Sequence, residues 1–534
     1  MTVIRETIGQ MLDDIARKHA PRDALVHTES GVRYTYDLLS QAIDRVARGF
    51  IYRGIARGDK VAIWCPNVPQ WLIALLGLAK IGAISVPVDP AATRDNLLYI
   101  LEQSECCGLI VADGTQDLAM LDLARQIRND LPALSHLFVI NDSTDADVIT
   151  WNELNAGGDA VSRDTLVKAA AMVQPQDSVA IMYTSGTTGQ PKGVVLDHPG
   201  LVNKSIVATE RQGITAGDRL CLFFPLFHMF GNTCIALAGF LRGAALIMPA
   251  STFDPAKILA AIPAEKCTAI YGSPSMLIAL VDHPQFQKSD WASLSKGIIG
   301  GAPCPMELMR RIVKDIGVSD ITVAYGITET SSWITMTHPT DPIELRVSTI
   351  GTALACNEIK IVDPATGDTL DPGQQGELCS RGFLMKEYYK MPGATAAAVD
   401  REQWFHTGDL GVMDQQGYIK ITGRVKDVIV RRGVEIYPVE VEEVIYLLPE
   451  VSEVQVFGFN PPSPEKGQAV AAWIKLKEGT QLSLNTVAAH VRAHLPEQKI
   501  PQHYKFVTGF PMTGSGKVQK YKMAEMAQKE NSDD

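Results

Sequence analysis

One run of eleven residues, Tyr183-Thr184-Ser185-Gly186-Thr187-Thr188-Gly189-Gln190-Pro191-Lys192-Gly193, gathers the residue types that bind phosphate. Its three glycines let backbone N–H groups approach an anion closely, and the hydroxyls of Thr184, Ser185, Thr187 and Thr188 add donors. Lys192 contributes a compact positive charge, so the ligand that suits the loop is a polyphosphate. The run lies between VAIMY and GVVL, at the bend of a strand hairpin, and on residue types alone a plain Gly/Thr turn fits as well. It is not a Walker A loop, because GxxxxGK[ST] is absent and strand rather than helix follows.

Further runs follow in order: PLFHMFG (225–231), GGAP (300–303), YGITET (325–330), TGD (407–409), GRVKDVIVRRGVEIYPVEVE (423–442) and GSGK (514–517). With the glycine-rich loop they resemble the adenylate-forming superfamily, which includes acyl-CoA synthetases, adenylation domains and luciferases. The resemblance spans nearly the whole chain. It implies an α/β fold: a large multi-subdomain N-terminal domain of layered sheets and helices, residues 1–425, and a small mobile α+β C-terminal domain, residues 426–534, with the active site between them. It implies ATP, Mg²⁺ and coenzyme A as cofactors and co-substrates. The activity implied joins a carboxylic acid to AMP and passes the acyl group to a thiol.

Residue by residue, the resemblance places Thr184, Ser185, Gly186, Thr187, Thr188, Gly189 and Lys192 around the β- and γ-phosphates. Glu329 becomes the carboxylate for Mg²⁺, a hard cation suited to oxygen ligands. Tyr325 and Gly326 lie against adenine on one side, and Gly301, Ala302 and Pro303 on the other, with the Thr328 hydroxyl near the α-phosphate. Asp409 accepts from the ribose hydroxyls and Arg424 donates to the same sugar. Lys517 is the catalytic lysine, bridging the attacking carboxylate and the α-phosphate while charge grows there. Thr184, Glu329 and His228 complete the catalytic set.

His228, Met229, Phe230, Gly300, Ala324 and Ser331 match the acyl pocket, with Trp333 close by. Met229 and Phe230 stand where amino-acid-activating relatives carry an aspartate, which argues against an amino-acid substrate. The lining is apolar, so a medium-chain fatty acid is the first expectation and an aryl or alicyclic acid the second. Lys426 falls at the hinge position. Arg431, Arg432 and Gly433 match the coenzyme A side, although Val430 stands where some relatives have a lysine. A free-standing acyl-AMP ligase loading a carrier protein is the nearest rival activity. The resemblance also admits a homodimer and a lysine acetyltransferase and deacetylase acting on Lys517, whose charge adenylation needs.

These residues need a scaffold, and the 534-residue chain has the material for several cores. Hydrophobic residues make up 46% and charged residues 20%, which excludes a disordered or fibrous protein. The net charge of −11 comes without a basic stripe, so nucleic acid is not an expected partner. Nine irregularly spaced cysteines form no CxxC pair and read as free thiols of a cytoplasmic enzyme. The apolar stretches 71–88 and 233–248 are broken by Lys80 and Arg242, so no stable membrane insertion is expected.

Strand-like runs at 61–65, 84–88, 108–112 and 136–140 alternate with helix-length spacers, among them 69–81 and 117–129. The rhythm continues at 245–249, 268–272 and 298–301, which predicts βαβ units around a largely parallel sheet. Near residue 424 the texture changes to short mixed elements, with helices expected over 438–448 and 485–495.

Overall fold

A computed structural model describes residues 2–112, 120–184, 190–431, 433–460, 467–512 and 518–530. The chain divides into two compact units, Met1–Glu358 with Ser380–Phe405, and Ile359–Cys379 with His406–Asp534.

The first unit is built on two sheets. In one, Ile84–Pro87, Lys60–Trp64, Gly108–Val111, His136–Val139 and Ile149–Thr150 run parallel in that spatial order. Ser178–Thr184 joins parallel to Ile84–Pro87. Lys192–Asp197 then turns back antiparallel, and Glu387–Tyr388 pairs on its outer edge. Val61 to Trp64 are all buried, as strands covered on both faces require. The spacer at 69–81 is the helix Pro69–Ile81, opened by a proline at its first turn and closed by Gly82 at φ 75°. The spacer predicted at 117–129 is the helix Met120–Asp130 in its described part.

The other sheet runs in spatial order Thr352–Ala353, Ser332–Met336, Asp320–Ile327, Lys296–Gly300, Ala269–Gly272, Arg219–Cys221, Ala245–Met248, Asp23–His27 and Val32–Thr35. Its middle is parallel, and the register sets Gly300 beside Ala324. The helix His198–Gln212 packs on Ser332–Met336. The Asp197 carboxylate caps it by accepting from the Gly200 N–H at 2.9 Å.

The second unit carries most of a four-stranded sheet of Glu358–Val362, Gln375–Arg381, Phe405–Met413 and Ile419–Arg424. It also carries the hairpin Ile429–Arg431 and Val434–Ile436, and a three-stranded sheet of Val451–Phe459, Ala469–Leu476 and His503–Phe506. Helices Pro438–Tyr446 and Leu484–His494 stand where the sequence predicts them. Apolar residues from Ile429 to Val491 close a separate core. All nine cysteines are free thiols. Among the described residues, no helix is long and apolar enough to cross a membrane.

Candidate active site

In the first unit, the antiparallel register pairs Thr184 with Lys192, so the two residues face each other across the neck of the glycine-rich hairpin. Ser185, Gly186, Thr187, Thr188 and Gly189, which the sequence assigns to phosphate, lie outside the described residues. Gly193 is required by packing: a Cβ there would sit 2.8 Å from Ile181 Cγ2 and 3.1 Å from the Tyr183 ring. The Tyr183 hydroxyl donates to the Gln103 side chain.

The parallel strands Lys296–Gly300 and Asp320–Ile327 end side by side. The exposed strip Gly301, Ala302 and Pro303 follows the first of them, and the half-buried Tyr325 and Gly326 lie within the last residues of the second. Crevices at such strand ends are where open α/β sheets bind nucleotides. Gly301 has φ 86°, a turn that a side chain would resist. Beyond them Thr328–Thr330 form a single tight turn that presents Glu329. Ser331 and Ser332 follow at φ 57° and 129°, two consecutive non-glycine residues in a region that costs about 1–3 kcal/mol each. The Thr330 hydroxyl braces this turn, lying 2.9 Å from the Ile327 carbonyl and 3.0 Å from that of Ser332.

Glu329 is gripped twice by a segment the sequence did not single out. The Met385 N–H donates to its carbonyl at 2.7 Å, and the Tyr388 hydroxyl donates to its Oε1 at 2.8 Å. Lys192 Nζ stands 4.2 Å from the centre of the same Tyr388 ring. Thr184, Lys192, Thr328 and Glu329 thus form an oxygen-rich rim with one cation, a donor set that suits a magnesium-bound polyphosphate.

The acyl-pocket residues converge as well. Phe230 meets Trp333 edge to face at 4.9 Å between ring centres, and Phe224 lies 4.5 Å from Phe230 and 5.4 Å from His228. Gly300 sits under this cluster, with Trp333, Ala324 and Phe230 all within 3.5 Å of where its Cβ would be. Met229 and Ala324 are buried, and Ser331 is fully enclosed. His228 Nδ1 accepts from the Phe230 N–H at 3.1 Å, which places the neutral ring's proton on Nε2. Phe230 opens a π-helical turn, Phe230–Leu237, and a Cβ at Gly231 would strike the Pro225 carbonyl at 2.2 Å. The loop is further held by Asn67, whose amide donates to the Phe224 carbonyl and whose oxygen accepts from Leu226 N–H.

One charge near this pocket was not anticipated. Lys204 is wholly buried, with Nζ 3.5 Å from the Trp333 carbonyl and bonded to the Asn357 side-chain oxygen. Burial lowers its pKa to about 8. A lysine inside an apolar helix face leaves no pattern that would reveal it in sequence.

In the second unit, Asp409 and Arg424 stand opposite each other on adjacent strands, with Arg424 Nε 3.0 Å from Asp409 Oδ1. The TGD turn is pinned beneath them. Glu377 accepts from the Gly408 N–H at 2.9 Å and pairs with His406 at 2.8 Å, and Thr407 Oγ1 donates to the Leu378 carbonyl at 2.7 Å. Lys426 lies in the exposed turn Val425–Asp427. Arg431 Nη1 donates to the Gln498 carbonyl at 3.1 Å, and Gly433 takes φ 78°. Arg432 and Lys517 lie outside the described residues. Lys520, a neighbour in sequence that charge alone would make a rival to Lys517, bonds Glu442 at 2.7 Å and the Val456 carbonyl at 2.9 Å.

Known proteins resemble this chain along nearly its whole length. Residues 12–389 match the AMP-binding enzyme family, and residues 440–517 match the AMP-binding enzyme C-terminal domain. The Bacillus subtilis (strain 168) protein YngI, whose name is that of an acyl-CoA synthetase, is 39% identical over 98% of this chain and 97% of its own. The Danio rerio mitochondrial medium-chain acyl-CoA ligase ACSF2 is 32% identical over 98% of this chain and 89% of its own. The crystal structure of ATP-bound MatB from Rhodopseudomonas palustris superposes with TM-score 0.85 at 26% identity, covering 99% of this chain and 100% of that one. The anthranilate CoA ligase AuaEII, solved with anthranoyl-AMP, shares the fold with TM-score 0.87 at 24% identity, covering 100% and 99%. The chain belongs to the AMP-binding enzyme family and is an ATP-dependent, AMP-forming acyl-CoA ligase that uses Mg²⁺ and coenzyme A.

Proposed function

We propose that the acid this ligase activates is a medium-chain fatty acid, held in the apolar pocket of Met229, Phe230, Gly300, Ala324, Ser331 and Trp333, with His228 at its mouth. The observation that carries this reading is the convergence of Phe224, Phe230 and Trp333 around Gly300, an apolar lining that suits an alkyl chain. The names of the ACSF2 relatives support it. The aromatic walls of Phe230 and Trp333 also suit a flat ring, so an aryl acid is the second reading.

In this reading the substrate carboxylate attacks the α-phosphorus of ATP. A new carboxyl O–P bond forms, the bond to the bridging oxygen breaks, and pyrophosphate leaves. Lys192, Thr184 and the hydroxyls of the loop at 185–189 hold the β- and γ-phosphates. Glu329 would hold Mg²⁺, which neutralises phosphate charge when bound. Thr328 and Lys517 stabilise charge growing on the α-phosphoryl oxygens, a stabilisation stronger in the transition state than before it. Asp409 and Arg424 fix the ribose. The coenzyme A thiol then attacks the acyl carbon, its proton is lost, a C–S bond forms, and AMP leaves with the carboxyl oxygen. Rotation at Lys426, between domains at 1–425 and 426–534, exchanges Lys517 for Arg431, Arg432 and Gly433 between these steps.

The cytoplasmic setting belongs to the same proposal and rests on nine free thiols. So do a homodimeric assembly and control by acetylation of Lys517. The test is a panel of acids from acetate to laurate, with benzoate, assayed for AMP formation with coenzyme A or with a carrier protein. A maximum at medium-chain acids that requires coenzyme A is expected; acetate or a carrier as the best substrate overturns the reading.

A further inference from the structure

Lys192 and Glu329 meet different parts of one phenol, the ring and the hydroxyl, and that placement has a chemical use. Lys192 Nζ sits over the Tyr388 ring at 4.2 Å, while the hydroxyl of the same ring donates to Glu329 Oε1 at 2.8 Å. A lysine and a glutamate that meet the same side chain carry opposite charges and are candidates for a direct ion pair. The contacts the two groups make are with Tyr388 and not with each other. The cation instead meets the negative π face, and the anion meets the only polar hydrogen of the side chain.

Tyr388 is held rigidly enough to keep this arrangement. It is 3% exposed and packs in the main core. Its N–H donates to Thr395 Oγ1 at 2.9 Å. Glu387–Tyr388 pairs with Val194 and Val195 on the strand leaving the phosphate loop, reinforced by Lys386 N–H to the Val195 carbonyl at 2.8 Å and Tyr389 N–H to the Gly193 carbonyl at 2.7 Å. The Met385 N–H reaches the Glu329 carbonyl from the same segment. One short stretch of chain therefore fastens both the strand that carries Lys192 and the turn that carries Glu329.

We propose that Tyr388 is a positioning residue that insulates Lys192 from Glu329, leaving the ammonium for nucleotide phosphate and Glu329 Oε2 for the divalent cation. The inference rests on the assignment of Glu329 to Mg²⁺ and Lys192 to phosphate.

Two variants separate the two ends of the side chain. Tyr388→Phe removes only the hydroxyl and keeps the ring beneath Lys192. It should weaken MgATP binding about tenfold, measured by calorimetry, while ATP binding in EDTA stays within about twofold. Tyr388→Leu removes the spacer, and Lys192 and Glu329 then pair. It should weaken ATP binding in EDTA as well, and the added loss should disappear in Tyr388→Leu/Glu329→Gln, where no anion remains to capture the lysine. Thermal melts of each variant identify unfolded protein, and the Phe variant retains the packing volume. Glu329→Gln alone supplies the control. If it leaves the MgATP-to-ATP affinity ratio unchanged, the assignment of Glu329 falls and the proposal with it. If Glu329→Gln changes that ratio but Tyr388→Phe does not, or if the Phe variant loses both affinities equally, Tyr388 is ordinary packing and the insulation idea alone is overturned.

Discussion

Gly300 lies directly against Trp333: a Cβ on the glycine would stand 3.0 Å from the indole Cη2. The glycine has an ordinary strand conformation, so a larger residue is resisted by space and not by backbone. Gly300→Val should cut kcat/KM for octanoate by about tenfold or more and leave butyrate within about threefold. Trp333→Ala should move the optimum to longer or bulkier acids. Unchanged chain-length profiles for both variants would remove this pair from the acyl site.

Lys517, the proposed catalytic lysine, offers a test that divides the two half-reactions. Lys517→Ala should reduce acid-dependent ATP–pyrophosphate exchange by about 100-fold or more, in the range of a lost transition-state electrostatic contact. Conversion of added acyl-AMP and coenzyme A to thioester should stay within about threefold. Equal loss in both assays would make the lysine structural.

Asp409 is 6% exposed and paired with Arg424, so the carboxylate proposed to bind ribose is held in one orientation. Asp409→Asn should raise the KM for ATP by about tenfold, because an amide can accept through only one oxygen. The KM for the acid should stay within about twofold. A shift in both constants would indicate collapse of the TGD turn.

Lys204 should give the protein an unusual alkaline signature. Its folded pKa is lowered to about 8 by burial, from 10.5. Between those values the unfolded chain holds the proton more tightly, so stability should rise as pH increases from about 8 to 10.5. Lys204→Met removes a buried ammonium that bonds the uncharged Trp333 carbonyl and Asn357 side chain, and should raise the Tm at pH 7 and abolish the alkaline rise. Thermal melts across that pH range check both.

His198 acts in the opposite range. It is fully buried, accepts at Nδ1 from the Ile8 N–H at 3.1 Å, and burial lowers its pKa to about 4 from 6.5. The unfolded chain binds the proton first as pH falls between those values, so stability should fall by about 3 kcal/mol and level off below. His198→Asn keeps an acceptor for Ile8 and should flatten that slope in denaturant titrations.

Much of the local structure was legible because neighbouring residues dictate it. The hairpin expected at 183–193, with VAIMY before the bend and GVVL after it, is present, and its register sets Thr184 on Lys192. The helix at 69–81 declares itself by a proline at its start and a glycine after its end. Here neighbouring residues along the chain dictate backbone geometry directly.

The remainder depends on residues brought together from far apart. Tyr388 reaches Glu329 and Lys192 only because a two-residue strand adds to a sheet edge. Glu377 pins the TGD turn across a strand pair, and Lys204 ends inside a helix–sheet layer where polarity pattern gives no warning. The amino-acid order alone determined which chemistry the chain can perform, since reactive groups and their loops are encoded within short stretches. Tertiary packing decided which side chains orient, separate and confine those groups, because sheet register and layer contacts sum weak interactions over the whole domain, and no short stretch contains that sum.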